Sequence, residues 1–183
     1  FTCSGFVTSI VILLIVLLLF KEASGLFSSK IIEEGYVIAL NRNNNCSDLD
    51  PAQIKAVFDG DVQNWKELGG PDAPITVFRL SDMDKYFSEA QLGAEYQYAP
   101  RLIDSLVNAT PGIAAFVPQT FVSTGFHGNL VKDNTIPVKD VFFGAEWFPT
   151  ATPAPQFGML PLLAGTLWVS LFAILFALPF GLS

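Results

Sequence analysis

The stretch DPAQIKAVFDGDVQNWKELGGPDAPITVFRLSD, residues 50–82, decides the fold because it encodes a helix, a turn and a strand in succession. Asp50 can cap the helix, Pro51 suits its first position, and Gln53 completes a capping box. After the Gly-Gly-Pro turn, ITVFRL, residues 75–80, is β-branched and aromatic, as strands are. The stretch therefore predicts the alternating elements of an α/β fold.

The neighbouring segments continue this alternation. We expect strands at YVIALN 36–41, IAAFVP 113–118 and NLVKD 129–133, and helices from Ser81 or Asp82 to about Leu92 and from Ala99 to Asn108. Strands that alternate with helices indicate an α/β domain of roughly 110 residues, a size that can fold alone.

The two ends of the chain differ from this middle because they carry no charge. All 10 Lys and Arg and all 17 Asp and Glu lie between Lys21 and Glu146. Residues 1–20 and 157–183 are each long enough to cross a bilayer about 30 Å thick, at about 1.5 Å per helical residue. The aromatic run FFGAEWFP, residues 142–149, suits the membrane interface. The ends therefore predict two transmembrane α-helices.

The predicted organisation is an α/β domain inserted between two transmembrane helices. Its parts are a first transmembrane helix at 1–20, a linker at 21–34, an extracytoplasmic α/β domain at 35–141, an aromatic and Pro-rich juxtamembrane linker at 142–156, and a second transmembrane helix at 157–183. The alternatives are a cleaved signal peptide ending near Ala23-Ser24-Gly25 and a buried core helix for the second run. The missing initiating Met and the apolar end lead us to expect an excerpt of a longer membrane protein.

Composition excludes several function classes. A net charge of −7 and an isoelectric point near 4.5 argue against nucleic-acid binding. The chain has no phosphate-binding loop for ATP hydrolysis. His127 is the single histidine and has no clustered Cys or carboxylates beside it. We therefore expect no enzyme, no catalytic residues, no metal and no cofactor.

Two parts of the chain resemble different proteins of one transport system. Residues 50–82 and ATPGIAAFVP, residues 109–118, resemble the second lobe of the phosphate-binding periplasmic proteins of the Pst system. The tail EWFPTATPAPQFGMLPLLAGTLWVSLFAILFALPFGL, residues 146–182, is similar to the PstC-type permease of that system at its second transmembrane helix. The resemblance implies a periplasmic-binding-protein-like lobe inserted in a multi-pass permease of the cell membrane.

That resemblance also implies a function and partners. The chain would be the permease subunit of an ABC importer for inorganic phosphate, with the extracytoplasmic insertion acting as a docking or gating element. Its partners would be membrane lipid, a second permease subunit, cytoplasmic ATPase subunits and a separate phosphate-binding protein. The alternative is a membrane-tethered solute-binding or sensor module. Further apolar spans after Ser183 would favour the permease.

The related binding proteins hold their anion partly on a loop of the form Arg-x-Asp-Gly-Ser-Gly-Thr, whose N–H groups, hydroxyl and guanidinium contact the ligand. Aligned on Asp82, this chain reads LSDMDKY, residues 80–86, with Leu80 at the Arg position, Asp84 at the Ser position and neither glycine. A carboxylate there repels an anion, so we expect no phosphate binding. The candidates for contact with another polar ligand are Arg79, Ser81, Asp82 and Lys85, and the alternative is that they are ordinary surface residues.

Overall fold

The structure, a computed structural model, describes residues 2–25, 29–122 and 125–181. Its helices are α1 (Thr2–Ser24), α2 (Pro51–Asp59), α3 (Met83–Tyr86), α4 (Glu89–Leu92), α5 (Ala99–Ala109), α6 (Val138–Phe143) and α7 (Leu160–Gly181). Its strands are β1 (Tyr36–Leu40), β2 (Thr76–Arg79), β3 (Ile113–Pro118), β4 (Asn129–Leu130), β5 (Trp147–Phe148) and β6 (Gln156–Phe157). Short 3₁₀ turns add to these.

The chain divides into two compact units. The α/β unit comprises Lys30–Asn134 and Pro149–Gln156, and the helical unit comprises Phe1–Ser29, Thr135–Phe148 and Phe157–Ser183. The predicted domain limits, 35 and 141, stay a prediction, and residues 26–28 of the predicted linker lie outside the described part of the chain.

A four-stranded mixed sheet forms the centre of the α/β unit, in the order β2-β3-β1-β4. β3 pairs antiparallel with β1, and parallel with β2, where Thr76 lies opposite Ile113 and Arg79 opposite Phe116. β4 pairs antiparallel with the outer side of β1. Residues 113–117 of β3 are all buried, which explains why this strand is a continuous apolar run without polar alternation.

Each face of the sheet is covered by a helix. On one face, Ile103 and Val107 of α5 pack in one cluster with Phe78 of β2 and Val117 of β3. On the other face, the ring of Phe58 from α2 lies 6.2 Å from that of Phe116, edge to face. Burial on both sides makes β3 the core strand of the unit.

The capping signals of α2 are confirmed. The Asp50 carboxylate accepts a hydrogen bond from the N–H of Gln53 at 2.8 Å, and the Gln53 side chain accepts one from the N–H of Asp50 at 3.0 Å. Gly60 ends the helix in the left-handed conformation with φ of 83°. The strands predicted near residues 36, 75, 113 and 129 and the helix from Ala99 are confirmed as well.

The helix predicted from Ser81 or Asp82 to about Leu92 is wrong. The chain forms a 3₁₀ turn at Leu80–Asp82 and then two four-residue helices, α3 and α4. The break lies at Phe87, whose φ of −135° is extended, and at Ser88. The Ser88 N–H donates to the Gln91 side chain at 2.9 Å, in the capping box that begins α4. As the N-cap of α4, Ser88 has an extended backbone, so α3 cannot continue through it.

The two terminal helices can be compared with a membrane span by the length and hydropathy of their described segments. Within the residues that the structure describes, one helical segment, Leu160–Leu178, is long and apolar enough to cross a bilayer, with a mean hydropathy of 2.1 and no buried residues. In α1, the apolar segment is described over Ile10–Lys21, because the side chains of residues 1–9 lie outside the described part. A second transmembrane helix at 1–20 is therefore not demonstrated and remains a proposal.

Candidate functional site

The carboxyl ends of β2 and β3 lie at one edge of the sheet because these strands are parallel. The chain leaves β2 through Leu80–Asp82 and leaves β3 through a second 3₁₀ turn, Gln119–Phe121. Open α/β sheets bind ligands at this edge, beyond the ends of parallel strands. An open cavity of about 290 Å³ lies there, and its lining consists of Leu80, Ser81, Met83, Asp84, Tyr96 and Phe121.

Arg79 is not part of this lining. Its guanidinium donates a hydrogen bond to the carbonyl oxygen of Phe58 at 3.0 Å, and its Cζ lies 5.4 Å from the centroid of the Phe58 ring. The preceding residue, Phe78, packs on the opposite face with α5. Strand alternation therefore directs the guanidinium toward α2 and away from the cavity.

Asp82 and Lys85 bind each other. Lys85 Nζ donates to Asp82 Oδ1 at 2.7 Å, and the N–H of Arg79 donates to Asp82 Oδ2 at 3.1 Å. The hydrogen bond from Lys85 lowers the pKa of Asp82 below its ordinary value of 3.8, and the N–H of Arg79 lowers it further. The same pair raises the pKa of Lys85 above 10.5. Of the four predicted candidates, Ser81 alone lines the cavity.

The other five lining residues are not among the predicted candidates, and Asp84, Tyr96 and Phe121 carry the chemistry of the cavity. Asp84 was interpreted only as a replacement that repels anions, whereas Tyr96 and Phe121 received no role. Gly93, three residues before Tyr96, has a φ of 72°, and the φ angles of Glu95 and Tyr96 are 53° and 60°. No sequence pattern predicts a left-handed backbone at two successive non-glycine residues. Gly93 is the sequence feature that indicates a turn just before these two residues.

His127 lies away from the lining residues and contacts α5. Its ring Nδ1 lies 2.9 Å from Asp104 Oδ2, and its N–H donates to Asp104 Oδ1 at 3.0 Å. Burial alone would raise the pKa of Asp104, but the hydrogen bonds from His127 outweigh burial and leave it below 3.8. The contact fastens the segment before β4 to α5. Across residues 2–25, 29–122 and 125–181, no group of three His, Cys, Asp or Glu is placed to hold a metal.

Comparisons with known proteins find similarity to a protein named for phosphate binding. The chain is 24% identical over 111 residues to the phosphate-binding protein PstS of Bacillus subtilis (strain 168). The matched region covers 56% of this chain and 37% of PstS. Among solved structures, it is similar to a putative phosphate ABC transporter substrate-binding protein from Clostridium perfringens, at 27% identity and a TM-score of 0.40, over 60% of this chain and 49% of that one.

A second solved structure is an ABC-type phosphate transport receptor from Vibrio cholerae, at 20% identity and a TM-score of 0.41, over 62% of this chain and 52% of that one. The chain thus spans about half or less of the length of these relatives. The relative PstS is named as a phosphate-binding protein and not as a permease, so the permease part of the resemblance stays a prediction. The sequence model described as PBP superfamily domain matches residues 19–134. Because this match covers more than half of the chain, the chain belongs to the family described as the PBP superfamily domain.

Proposed function

We propose that the chain is a membrane-tethered solute-binding module whose PBP-family domain lies outside the cytoplasm. One observation carries the proposal: a domain of this family and a helix of membrane-spanning length, α7, occur in the same chain. Side chains along α7 are exposed and apolar, and lipid is the environment that such a surface requires. The helix would hold the domain at the membrane surface.

The proposal includes a second anchor at the amino-terminal end. α1 is 23 residues long, and the described side chains from Ile10 to Phe20 are apolar and exposed. If both helices cross the bilayer, the domain between them lies on one side and the two ends on the other. The resemblance of residues 50–82 to periplasmic phosphate-binding proteins supports the outer side, since it implies an extracytoplasmic domain.

The cavity is a poor place for an oxyanion, although the relatives are named for phosphate. The guanidinium of Arg79 is bonded to Phe58, and the ammonium of Lys85 is bonded to Asp82. The one ionisable carboxylate in the lining is that of Asp84. A phosphate placed there would face a like charge without a cation to balance it. We therefore propose that this cavity serves a solute other than phosphate.

A second candidate function keeps the chain within phosphate import. The tail from Glu146 onward resembles a permease at its second transmembrane helix, and α7 begins within that resemblance, at Leu160. In this version the chain is a permease subunit, and the PBP-family domain docks a separate phosphate-binding protein or gates the pathway. Its partners would be a second permease subunit and cytoplasmic ATPase subunits. Neither function gives the chain an enzymatic role.

Protease access tests the location of the domain. The chain is produced in a bacterial inner membrane and treated with proteinase K in spheroplasts and in inverted vesicles. We expect cleavage between residues 30 and 156 in spheroplasts and protection in inverted vesicles. The reverse pattern would place the domain in the cytoplasm and defeat the proposal.

Purification from the native membrane separates the two candidates. A permease subunit would copurify with an ATPase subunit in fixed stoichiometry, whereas a tethered module would purify without one. A cytoplasmic protein tagged in the same strain serves as the control for non-specific capture.

A further inference from the structure

We propose that the cavity at the carboxyl ends of β2 and β3 binds a small organic ammonium ion with an apolar body. The inference rests on the proposed solute-binding function and names the class of ligand for that site. Its basis is the combination of one carboxylate, two aromatic side chains and two aliphatic ones around a single cavity.

Charge selects the sign of the ligand. Asp84 is exposed and, within the described chain, its carboxylate has no hydrogen bond or ion pair. The neighbouring cation, Lys85, already binds Asp82 at 2.7 Å. The cavity therefore presents an unbalanced negative charge, in a chain whose net charge is −7. An ammonium group would complete an ion pair there, and an anion would be repelled.

Aromatic side chains strengthen the preference for a cation. Tyr96 and Phe121 both line the cavity, and aromatic rings attract ammonium groups because the ring quadrupole gives each face a negative potential. Leu80 and Met83 supply apolar surface for the rest of the ligand. The Ser81 hydroxyl can accept one hydrogen bond from an ammonium N–H.

The backbone at Tyr96 supports a functional role for this wall. Glu95 and Tyr96 both lie in the left-handed region, which costs free energy in residues that carry a Cβ. Such conformations are retained mainly where a side chain must be presented at a site. Tyr96 is half exposed and lines the cavity, so the strain places an aromatic ring at its mouth.

Cavity volume limits the size of the ligand. At about 290 Å³ the cavity is at the lower end of ligand pockets, which measure roughly 300–1,000 Å³. An arylalkylamine of one ring and a short chain fits this volume. 2-Phenylethylammonium is therefore a suitable probe, and 3-phenylpropionate is its match with the opposite charge.

Calorimetric titration of the full chain in lipid nanodiscs tests the inference, with empty nanodiscs as the blank. We expect saturable binding of 2-phenylethylammonium that weakens with added salt, and no binding of 3-phenylpropionate or inorganic phosphate. Asp84→Asn should weaken binding about fivefold, as expected for an exposed ion pair. Phe121→Leu should weaken it by about the same factor through loss of the ring. Asp61→Asn, which removes an exposed carboxylate outside the lining, is the matched control.

Three results would overturn the inference: no saturable binding of the ammonium probe, equal binding of the carboxylate probe or phosphate, or wild-type affinity in Asp84→Asn. Its failure is distinguishable from failure of the proposed function. A domain that protease reaches from outside but that binds no ammonium leaves the tethered module standing. A domain located in the cytoplasm removes the proposed function whatever the cavity binds.

Discussion

Gly112 shows how a single residue fixes the contact between two strands. A Cβ built at Gly112 would overlap the carbonyl oxygen of Pro74. The carbonyl oxygen of Gly112 accepts hydrogen bonds from the N–H of Thr76 at 3.0 Å and from the indole N–H of Trp65 at 2.9 Å. The start of β2, the start of β3 and the buried Trp65 ring therefore meet at one backbone position.

Gly112→Ala should destabilise the α/β unit by about 2–3 kcal/mol, because the methyl group forces the two strands apart where no flexible side chain can yield. Urea unfolding followed by Trp fluorescence measures the change, since Trp65 is fully buried in the folded unit. Gly125→Ala is the control, because a Cβ there has no heavy atom within 4 Å. Equal unfolding midpoints for the two variants would contradict the close contact between Gly112 and the carbonyl oxygen of Pro74.

Asp82 makes a pH-dependent contribution to the stability of the site loop. Its pKa is lower in the folded chain than its ordinary 3.8, because Lys85 and the N–H of Arg79 bond the charged form. The contribution is therefore fully present above pH 3.8 and is lost as the pH falls through the folded pKa.

Asp82→Asn should accordingly be less stable than the wild type at neutral pH, by less than about 1 kcal/mol because Lys85 is exposed. The difference should shrink at about pH 3. Urea midpoints at the two pH values measure it, with Asp61→Asn as the control. If the difference in stability between Asp82→Asn and the wild type stayed constant or grew in acid, the folded chain would not stabilise the charged form of Asp82.

At the scale of elements, local signals determined most of what the sequence predicts. The capping box at Asp50 and Gln53 and the apolar run 113–118 act within a few residues, so a helix and a strand follow directly from them. The predicted helix through Leu92 is wrong because a cap at Ser81 or Asp82 indicates where a helix begins and not where it ends, and the helix is broken at Phe87 and Ser88. The Ser88–Gln91 pair was itself a readable start signal.

The cavity depends on contacts that no local signal contains. Period-two alternation places Arg79 on the face opposite Phe78, and the structure has it there. Phe121 meets Leu80 only because β2 and β3 pair in parallel across a crossover of more than thirty residues. A pattern along the chain cannot provide that pairing, so the sequence predicts the loss of the anion loop at residues 80–86 but not the cavity beside it.

Asp50→Ala should destabilise the α/β unit by about 1 kcal/mol, the usual cost of removing a helix cap. The reason is that the N–H of Gln53 loses its acceptor at the start of α2. Asp50→Ser should recover most of the loss, since a hydroxyl also caps. Urea unfolding provides the measurement and Asp61→Ala the control. Equal stability of Asp50→Ala and wild type would mean that packing alone holds α2.

At the scale of the whole molecule, the charged residues lie between Lys21 and Glu146, and the apolar helix α7 lies beyond them. The α/β unit contains a sheet with both faces covered, and it buries its own core. The side chains of α7 are not buried: over Leu160–Leu178 they are exposed and, apart from Thr166 and Ser170, apolar. Under the proposed membrane attachment, a bilayer would cover this apolar surface.

Paired lysines within α7 should therefore release the chain from the membrane, provided that α1 cannot retain it. In a chain lacking residues 1–25, we expect resistance to carbonate extraction, and Val169→Lys with Phe172→Lys should abolish it. Each charge near the centre of a span costs about 2.5–3.5 kcal/mol on the insertion scale. Val138→Lys with Phe143→Lys adds the same two charges to exposed positions of α6 and should leave the chain resistant. If the α7 lysines leave the chain in the pellet, or the α6 lysines release it, α7 is not the segment that lies in lipid, and the tethered arrangement fails with it.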